Sequence, residues 1–340
     1  MPDIAVVITT HDNTALLPSV LEALGSQVGV ADGSCEVVLV DNGSADRVAG
    51  RFTPEAFPFK VTVVEQRHTG QAWARNQGWK RAAAPLILFI DDDLVPDRRL
   101  LAEHLDAHAR HPGAVVLGLI NTEPGLLLDP WTDYDRAKLL AKYTALRGRE
   151  KPSGIHVGGN FSLPRWLLDQ VGGFDHRLPG RDHVDLGFRL KELGVRFVFR
   201  PGAQAFRHWR PDYERWRLTY KLQGRLDVAA FQERGHAGGL PSLVACYHDR
   251  NPVNRMAVAV ALSGRSAEGL VLGTATWLGL TAHRLRMRPL SRAAMSVVAN
   301  VVYWGGVRDG LRGRAAFWAL VRRTRRHVGR PYEVATGAGT

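Results

Sequence analysis

Three consecutive carboxylates, Asp91-Asp92-Asp93, follow directly on the apolar run Leu86-Ile87-Leu88-Phe89-Ile90. Acids packed this closely repel one another, and a divalent cation is the simplest compensation. Hard oxygen ligands select Mg²⁺ or Mn²⁺, ions that hold a substrate diphosphate as well as protein carboxylates. Five apolar residues after Pro85 read as a central strand buried on both faces, because a parallel strand covered by helices shows no alternation. Ligands of open α/β sheets bind outside the carboxyl ends of the strands, so the acids stand where an active site is expected. The other reading of the same three residues is a solvated acidic turn.

The elements that must position them precede them. Ile4 to Thr10 is a buried strand running into His11-Asp12-Asn13, and an amphipathic helix carries Leu16, Leu17, Val20, Leu21 and Leu24 up to Gly25. Cys35 to Val40 forms a second strand that stops at the turn Asp41-Asn42-Gly43-Ser44. A third strand spans Val61 to Val64, and a helix from about Gln71 to Ala83 leads into the central strand. Alternation of this kind predicts an α/β, doubly wound nucleotide-binding layout. Neither a Gly-x-Gly-x-x-Gly turn nor a Gly-Lys-Ser/Thr phosphate loop is present. A nucleotide held without such a cradle needs another counter-charge, and a metal on the aspartates supplies one.

Taken together, Thr9-Thr10-His11-Asp12, Asp41-Asn42-Gly43-Ser44, Gly70-x-x-x-Ala74-Arg75-Asn76-x-Gly78 and Ile90-Asp91-Asp92-Asp93 resemble successive motifs of the family-two inverting glycosyltransferases of GT-A fold. Gly158-Gly159-Asn160-Phe161-Ser162 and Val171-Gly172-Gly173-Phe174-Asp175 resemble that family's acceptor-side loop and the helix after it. The resemblance covers roughly residues 3 to 210. It implies a GT-A catalytic domain over residues 1–210, with a nucleotide-sugar half to about 121 and an acceptor half from about 122. Its substrates would be a nucleoside-diphosphate sugar, a UDP-sugar foremost, and a hydroxyl acceptor.

Residue by residue, the resemblance implies that Thr9 and His11 line the nucleoside pocket, Asp41 binds base or ribose, and Arg75 reaches the nucleotide or its phosphates. Asp91 and Asp93 would be the metal and ribose ligands, with Asp92 toward the sugar, and His208 would complete metal or diphosphate binding. Beside adjacent glycines that admit a close ligand, Asn160 is the polar candidate for donor-sugar or acceptor contact. The stretch Gly180 to Leu190 departs from the pattern. Anchored on Leu186 and Arg189-Leu190, it puts Asp182 at the family's Glu position and His183 at the position of its general base. Inversion needs an acceptor hydroxyl deprotonated as it attacks, which a carboxylate or a neutral imidazole can do. Asp182 is placed first and His183 second, with Asp185 assigned to the helix dipole.

The totals frame this reading. A chain of 340 residues with 45% hydrophobic and 23% charged residues is globular, as one large domain with an appendage or as two. Cys35 and Cys246 suggest buried thiols of a reducing compartment, and the Met-Pro-Asp start leads within a few residues into a strand, so a cytoplasmic chain is expected. Residues 251–340 hold 14 arginines, no lysine and three acids, a surplus of 11 out of the chain's +12. With the apolar stretches Met256 to Leu262, Gly269 to Ala282 and Ala293 to Trp304, residues 211–340 read as a helical basic region. Those helices either meet an anionic membrane surface, at the cytoplasmic face, or pack as ordinary core. A sugar-1-phosphate nucleotidyltransferase is the rival enzyme, but Thr9 to Asn13 is not its glycine-rich basic loop. Nucleic acid is not an expected partner, since no zinc-finger spacing or RNA-binding aromatic signature accompanies the arginines.

Overall fold

Runs of valine and isoleucine build β1 (Ile4–Thr10), β2 (Cys35–Asn42), β3 (Lys60–Gln66) and β4 (Leu86–Asp91), which lie side by side and parallel. The computed structural model describes residues 1–48, 56–123, 125–146, 158–178, 180–208, 210–234 and 239–324. Within these the chain forms two units: residues 1–125 with 143–209, and residues 126–142 with 210–340.

In the first unit the sheet has eight strands in the order β3-β2-β1-β4-β7-β6-β8-β5, completed by β5 (Leu94–Pro96), β6 (Val115–Thr122), β7 (Asn160–Pro164) and β8 (Phe197–Arg207). β7 runs antiparallel to both β4 and β6, while β6 and β8 are parallel, so the sheet is mixed. Around it lie α1 (Leu17–Gly25), α2 (Gln71–Arg81), α3 (Leu100–Arg110), α5 (Arg165–Val171) and α6 (Asp182–Glu192). This is the mixed α/β sheet with flanking helices that the resemblance implies. The expected strand start at Ile155-His156-Val157 lies outside the described residues.

Close packing explains the glycines and small residues of α2. A methyl group added at Gly78 would meet the Val7 side chain at 2.3 Å, so α2 can lie this near β1 only because Gly78 has no Cβ. α2 stops at Arg81, two residues short of the expected end, because Ala82 turns extended and the Glu36 carboxylate accepts the Ala83 and Ala84 N–H groups at 2.5 and 2.8 Å.

The second unit is helical. It contains the greater part of α4 (Pro130–Leu146), then α7 (Tyr213–Arg234), α8 (Gly239–Ala245), α9 (Pro252–Ala261), α10 (Arg265–Arg284), α11 (Arg288–Gly310) and α12 (Arg314–Thr324). Trp216, Trp304 and Phe317 are fully buried. Gly224 and Gly306 let the backbones of α7 and α11 meet, since a Cβ on either would fall 2.2 or 2.1 Å from a facing carbonyl oxygen. Arg292 donates to both oxygens of the buried Asp133 at 2.7 and 3.0 Å, and the partly buried Asp135 accepts from Trp216 Nε1 at 2.8 Å and the Tyr220 hydroxyl at 2.6 Å. The apolar stretches differ in burial. Val298 and Val301 to Val307 of α11 are core, while Leu270 and Trp277 of α10 are exposed. No helix among the described residues is long and apolar enough to cross a membrane.

Candidate active site

Register decides which side chains meet. Thr9 pairs with Asp91 across β1 and β4, and Thr10 pairs with Asp41 across β1 and β2, so the carboxyl ends of three adjacent strands finish level. β7 then brings Gly159 beside Asp91, whose N–H donates to the Gly159 carbonyl at 3.0 Å. A Cβ at Gly159 would lie 1.9 Å from the Asp91 carboxylate, so only glycine leaves that carboxylate in place.

Around Asp91 runs an alternating line of charge. The buried Arg75 guanidinium donates to Asp182 Oδ2 at 3.0 Å and to Asp91 Oδ1 at 3.2 Å. Arg207, from the end of β8, lies 3.7 Å from Asp91 Oδ2 and 3.1 Å from Asp93 Oδ2. Burial, partly offset by Arg207, raises the Asp93 carboxyl, and burial pushes Asp92 up to about 6. Asp93 Oδ1 is buried with no hydrogen-bond partner among the described residues. An orphaned oxygen beside two further carboxylates is chemistry a hard divalent cation satisfies. Among the described residues, however, no three His, Cys, Asp or Glu side chains converge on a metal position. Mg²⁺ or Mn²⁺ here would therefore rest on Asp91 and Asp93 and take its other oxygens from phosphate and water. His208 does not join them: its ring Nδ1 is 3.7 Å from Glu123, and its backbone N–H donates to the Asp93 carbonyl at 2.9 Å.

The acceptor-side pair opens α6. Asp182 is 0% exposed, its Oδ1 has no hydrogen-bond partner among the described residues, and His183 Nδ1 stands 3.8 Å away with a side chain 26% exposed. Burial alone would raise the Asp182 carboxyl, but Arg75 and His183 together hold it below the usual carboxylate range. Asp185 does more than favour the helix dipole. It accepts from Arg189 Nε at 2.7 Å, and that guanidinium also donates to the Val171 and Gly173 carbonyls at 2.6 and 2.8 Å, tying α6 to the end of α5. Asn76 fixes the same junction through the Phe174 N–H and carbonyl at 2.9 and 2.7 Å.

Two expected ligand residues are engaged inside the protein. Asn160 is buried: its Nδ2 donates to the Leu119 and Ala203 carbonyls at 3.2 and 2.9 Å, and its Oδ1 lies 3.0 Å from His104 Nε2. It positions the Gly159 loop and does not present its amide for a ligand. Asp41 accepts from the Ser44 and Val48 N–H groups at 2.9 and 3.3 Å, and so shapes the turn after β2. That turn is clipped to the loop after β1, where Asp12 Oδ1 accepts the Ala45 N–H at 2.8 Å. His11 is half exposed and stacks on His68 with ring centroids 4.1 Å apart. His68 and Arg207 were not among the residues singled out from sequence. Arg207 stands next to His208, but only the pairing of β8 with β5, Arg207 opposite Leu94, shows that it turns toward the aspartates.

A level edge of three parallel strands, an acid cluster closed by arginines and a buried Asp beside a reachable His thus stand together at one end of the sheet. Residues 5–172, just under half of the chain, match the family model described as glycosyl transferase family 2. The Bacillus subtilis glycosyltransferase YfnE is 25% identical over 246 residues, 58% of this chain and 62% of that protein. The validoxylamine A glucosyltransferase of Streptomyces hygroscopicus subsp. limoneus is 29% identical over 223 residues, 57% of this chain and 49% of its own length. The chain thus spans about half to three-fifths of these curated relatives. Among solved structures, the mannosyltransferase PcManGT of Pyrobaculum calidifontis, in complex with GDP-Man and Mn²⁺, superposes with a TM-score of 0.58 at 21% identity, covering 89% of this chain and 87% of that one. TarS of S. aureus, in complex with UDP, gives 0.52 at 14% identity, covering 99% and 95%.

Proposed function

We propose that the chain moves a sugar from a nucleoside-diphosphate sugar, a UDP-sugar foremost, to an acceptor hydroxyl with inversion at the anomeric carbon. The observation that carries this reading is the line Asp182, Arg75, Asp91, Arg207, Asp93 at the carboxyl edge of the sheet, inside a family-two domain. Thr9 and the His11–His68 stack would receive the nucleoside, and Arg75 and Arg207 bring positive charge to where a diphosphate departs. The nucleotide and metal held by the mannosyltransferase of the same fold motivate these ligand classes. Asp91 and Asp93 would hold Mg²⁺ or Mn²⁺, which when bound supplies charge compensation for the leaving diphosphate.

For the proton we assign His183 the base and Asp182 the positioning role. A hydroxyl oxygen is the size of a water molecule, and no water reaches the 0%-exposed Asp182 side chain, whereas His183 is reachable. With Asp182 Oδ1 3.8 Å from its Nδ1, His183 keeps Nε2 for the acceptor proton. The basic C-terminal region we read as facing an anionic membrane surface, on the cytoplasmic side, because its arginines adjoin exposed apolar residues.

NMR of donor turnover, with water or a simple alcohol as acceptor, tests the reaction. The first product formed should carry the anomeric configuration opposite to the donor's, and its formation should stop in excess EDTA. A product of retained configuration, or full turnover in EDTA, contradicts the inverting or the metal-assisted reading respectively.

A further inference from the structure

We propose that the corner joining α10 to α11, with the outward line of α10 leading to it, is the surface that docks this chain on an anionic lipid bilayer. This rests on the membrane reading of the basic region and assigns it to particular residues.

The corner is seven consecutive exposed residues, Arg284-Leu285-Arg286-Met287-Arg288-Pro289-Leu290, in which cationic and large apolar side chains alternate. Leu285 is 66% exposed. Along α10, Leu270, Trp277 and Arg284 recur at seven-residue intervals and so share one side of the helix, with Trp277 65% exposed. Leu270 and Trp277 bared along one line of α10, with Leu285 and Met287 set among three arginines at its end, match the two layers of a bilayer interface: acyl boundary for the apolar groups, phosphates for the guanidiniums. From Gly269 to Arg308 the sequence contains no Asp or Glu, so nothing on this stretch opposes approach to an anionic surface. Arg284 and Arg286 make no ion pair among the described residues, which leaves their charge for a partner.

Backbone geometry supports the same assignment. Arg286 has φ 59°, the left-handed conformation in which glycine is the usual helix terminator. The turn is closed around it, with Met287 N–H donating to the Ala282 carbonyl at 2.8 Å and Arg286 N–H to the His283 carbonyl at 2.9 Å. A long cation is thus kept at the tip where glycine would be easier. The far end of α11 also has an arginine at such a position, Arg312 with φ 60°, but no large exposed apolar residue stands beside it. Of the two ends of α11, the α10–α11 corner is the one that combines charge with a bared apolar edge among the described residues. A nucleic acid would use the arginines but has no use for Leu270, Leu285 and Met287, which is why lipid is the partner chosen.

The test is cosedimentation of the full chain with vesicles of phosphatidylcholine and phosphatidylglycerol, against vesicles of phosphatidylcholine alone and a duplex oligonucleotide. Wild type should sediment with the anionic vesicles only, and raised salt should release it. Reversing the corner, Arg284→Glu with Arg286→Glu and Arg288→Glu, should weaken binding at least about tenfold. The matched reversal Arg312→Glu with Arg322→Glu and Arg323→Glu should cost less than about threefold. Leu285→Ser alone, a surface change that leaves the core intact, should also weaken vesicle binding. Equal binding by wild type and both corner variants overturns the corner while leaving the membrane reading in place. Absence of wild-type sedimentation with anionic vesicles overturns both, as does binding to the oligonucleotide in place of vesicles.

Discussion

His183 and Asp182 act as a unit in this account, and their variants separate reaching the acceptor from positioning. His183→Ala removes the group that takes the proton and should lower turnover about 10²–10⁴-fold, the usual size of general-base catalysis. Asp182→Asn keeps the shape but removes the charge that Arg75 and His183 share, so it should lower turnover less and also weaken donor binding through Arg75. In the double variant the losses should fall short of additive, because Asp182 works through His183. Steady-state rates of folded variants check this, and a larger loss for Asp182→Asn than for His183→Ala would sink the assignment. From sequence the order was the reverse, since residue type and offset favour a carboxylate. The proposed order rests on burial, which a single sequence does not carry: Asp182 and His183 are neighbours, yet one is sealed and the other reachable. Asn160 shows the same limit. Its position beside two glycines suggests a ligand contact, but its amide is engaged by Leu119, Ala203 and His104, residues distant in sequence.

At the scale of elements, α3 is fastened to the central sheet by a buried polar chain. His104 Nε2 donates to Asn160 Oδ1, so His104 Nδ1 accepts from the Ser162 hydroxyl at 2.7 Å, and Ser162 Oγ accepts from His108 Nε2 at 2.7 Å. Burial pushes His104 down to about 3 and His108 down to about 4, from the ordinary 6.5. Both rings are therefore neutral in the folded protein across the range where they charge when unfolded. Unfolded chain takes up these protons as pH falls below about 6.5, so the stability they contribute is complete above that pH and declines toward pH 4 and 3. The slope should be about 1.4 kcal/mol per pH unit for each histidine within that window. His108→Gln should flatten the fall in melting temperature between pH 6.5 and 4, and an unchanged slope would contradict the buried-neutral state. None of this was legible in advance, because a histidine at an internal helix position reads alike whether it faces solvent or sheet. The strands were legible: β1, β2 and β4 are uninterrupted apolar runs ending in polar turns, and periodicity alone places them. The antiparallel insertion of β7 between β4 and β6 was not, since pairing partners are set by contacts far apart in sequence.

On the scale of the whole molecule, the chain pairs a sheet unit with a helical unit that carries the whole of its surplus charge. Composition alone announced that asymmetry, but not which apolar stretches are core: α11 is buried by glycine-mediated contact with α7, while α10 keeps Leu270 and Trp277 outside. The central claim concerns the sheet unit, that its acid and arginine edge binds a nucleoside-diphosphate sugar. Calorimetric titration of the full chain with UDP-, GDP- and dTDP-sugars in the presence of Mn²⁺ tests it most directly. At least one donor should bind wild type, and Gly159→Ala, which forces a methyl group to within 1.9 Å of the Asp91 carboxylate position, should weaken that donor at least about tenfold without unfolding the protein. Wild type that binds none of the donors, or a folded Gly159→Ala variant that binds as tightly as wild type, would contradict the account.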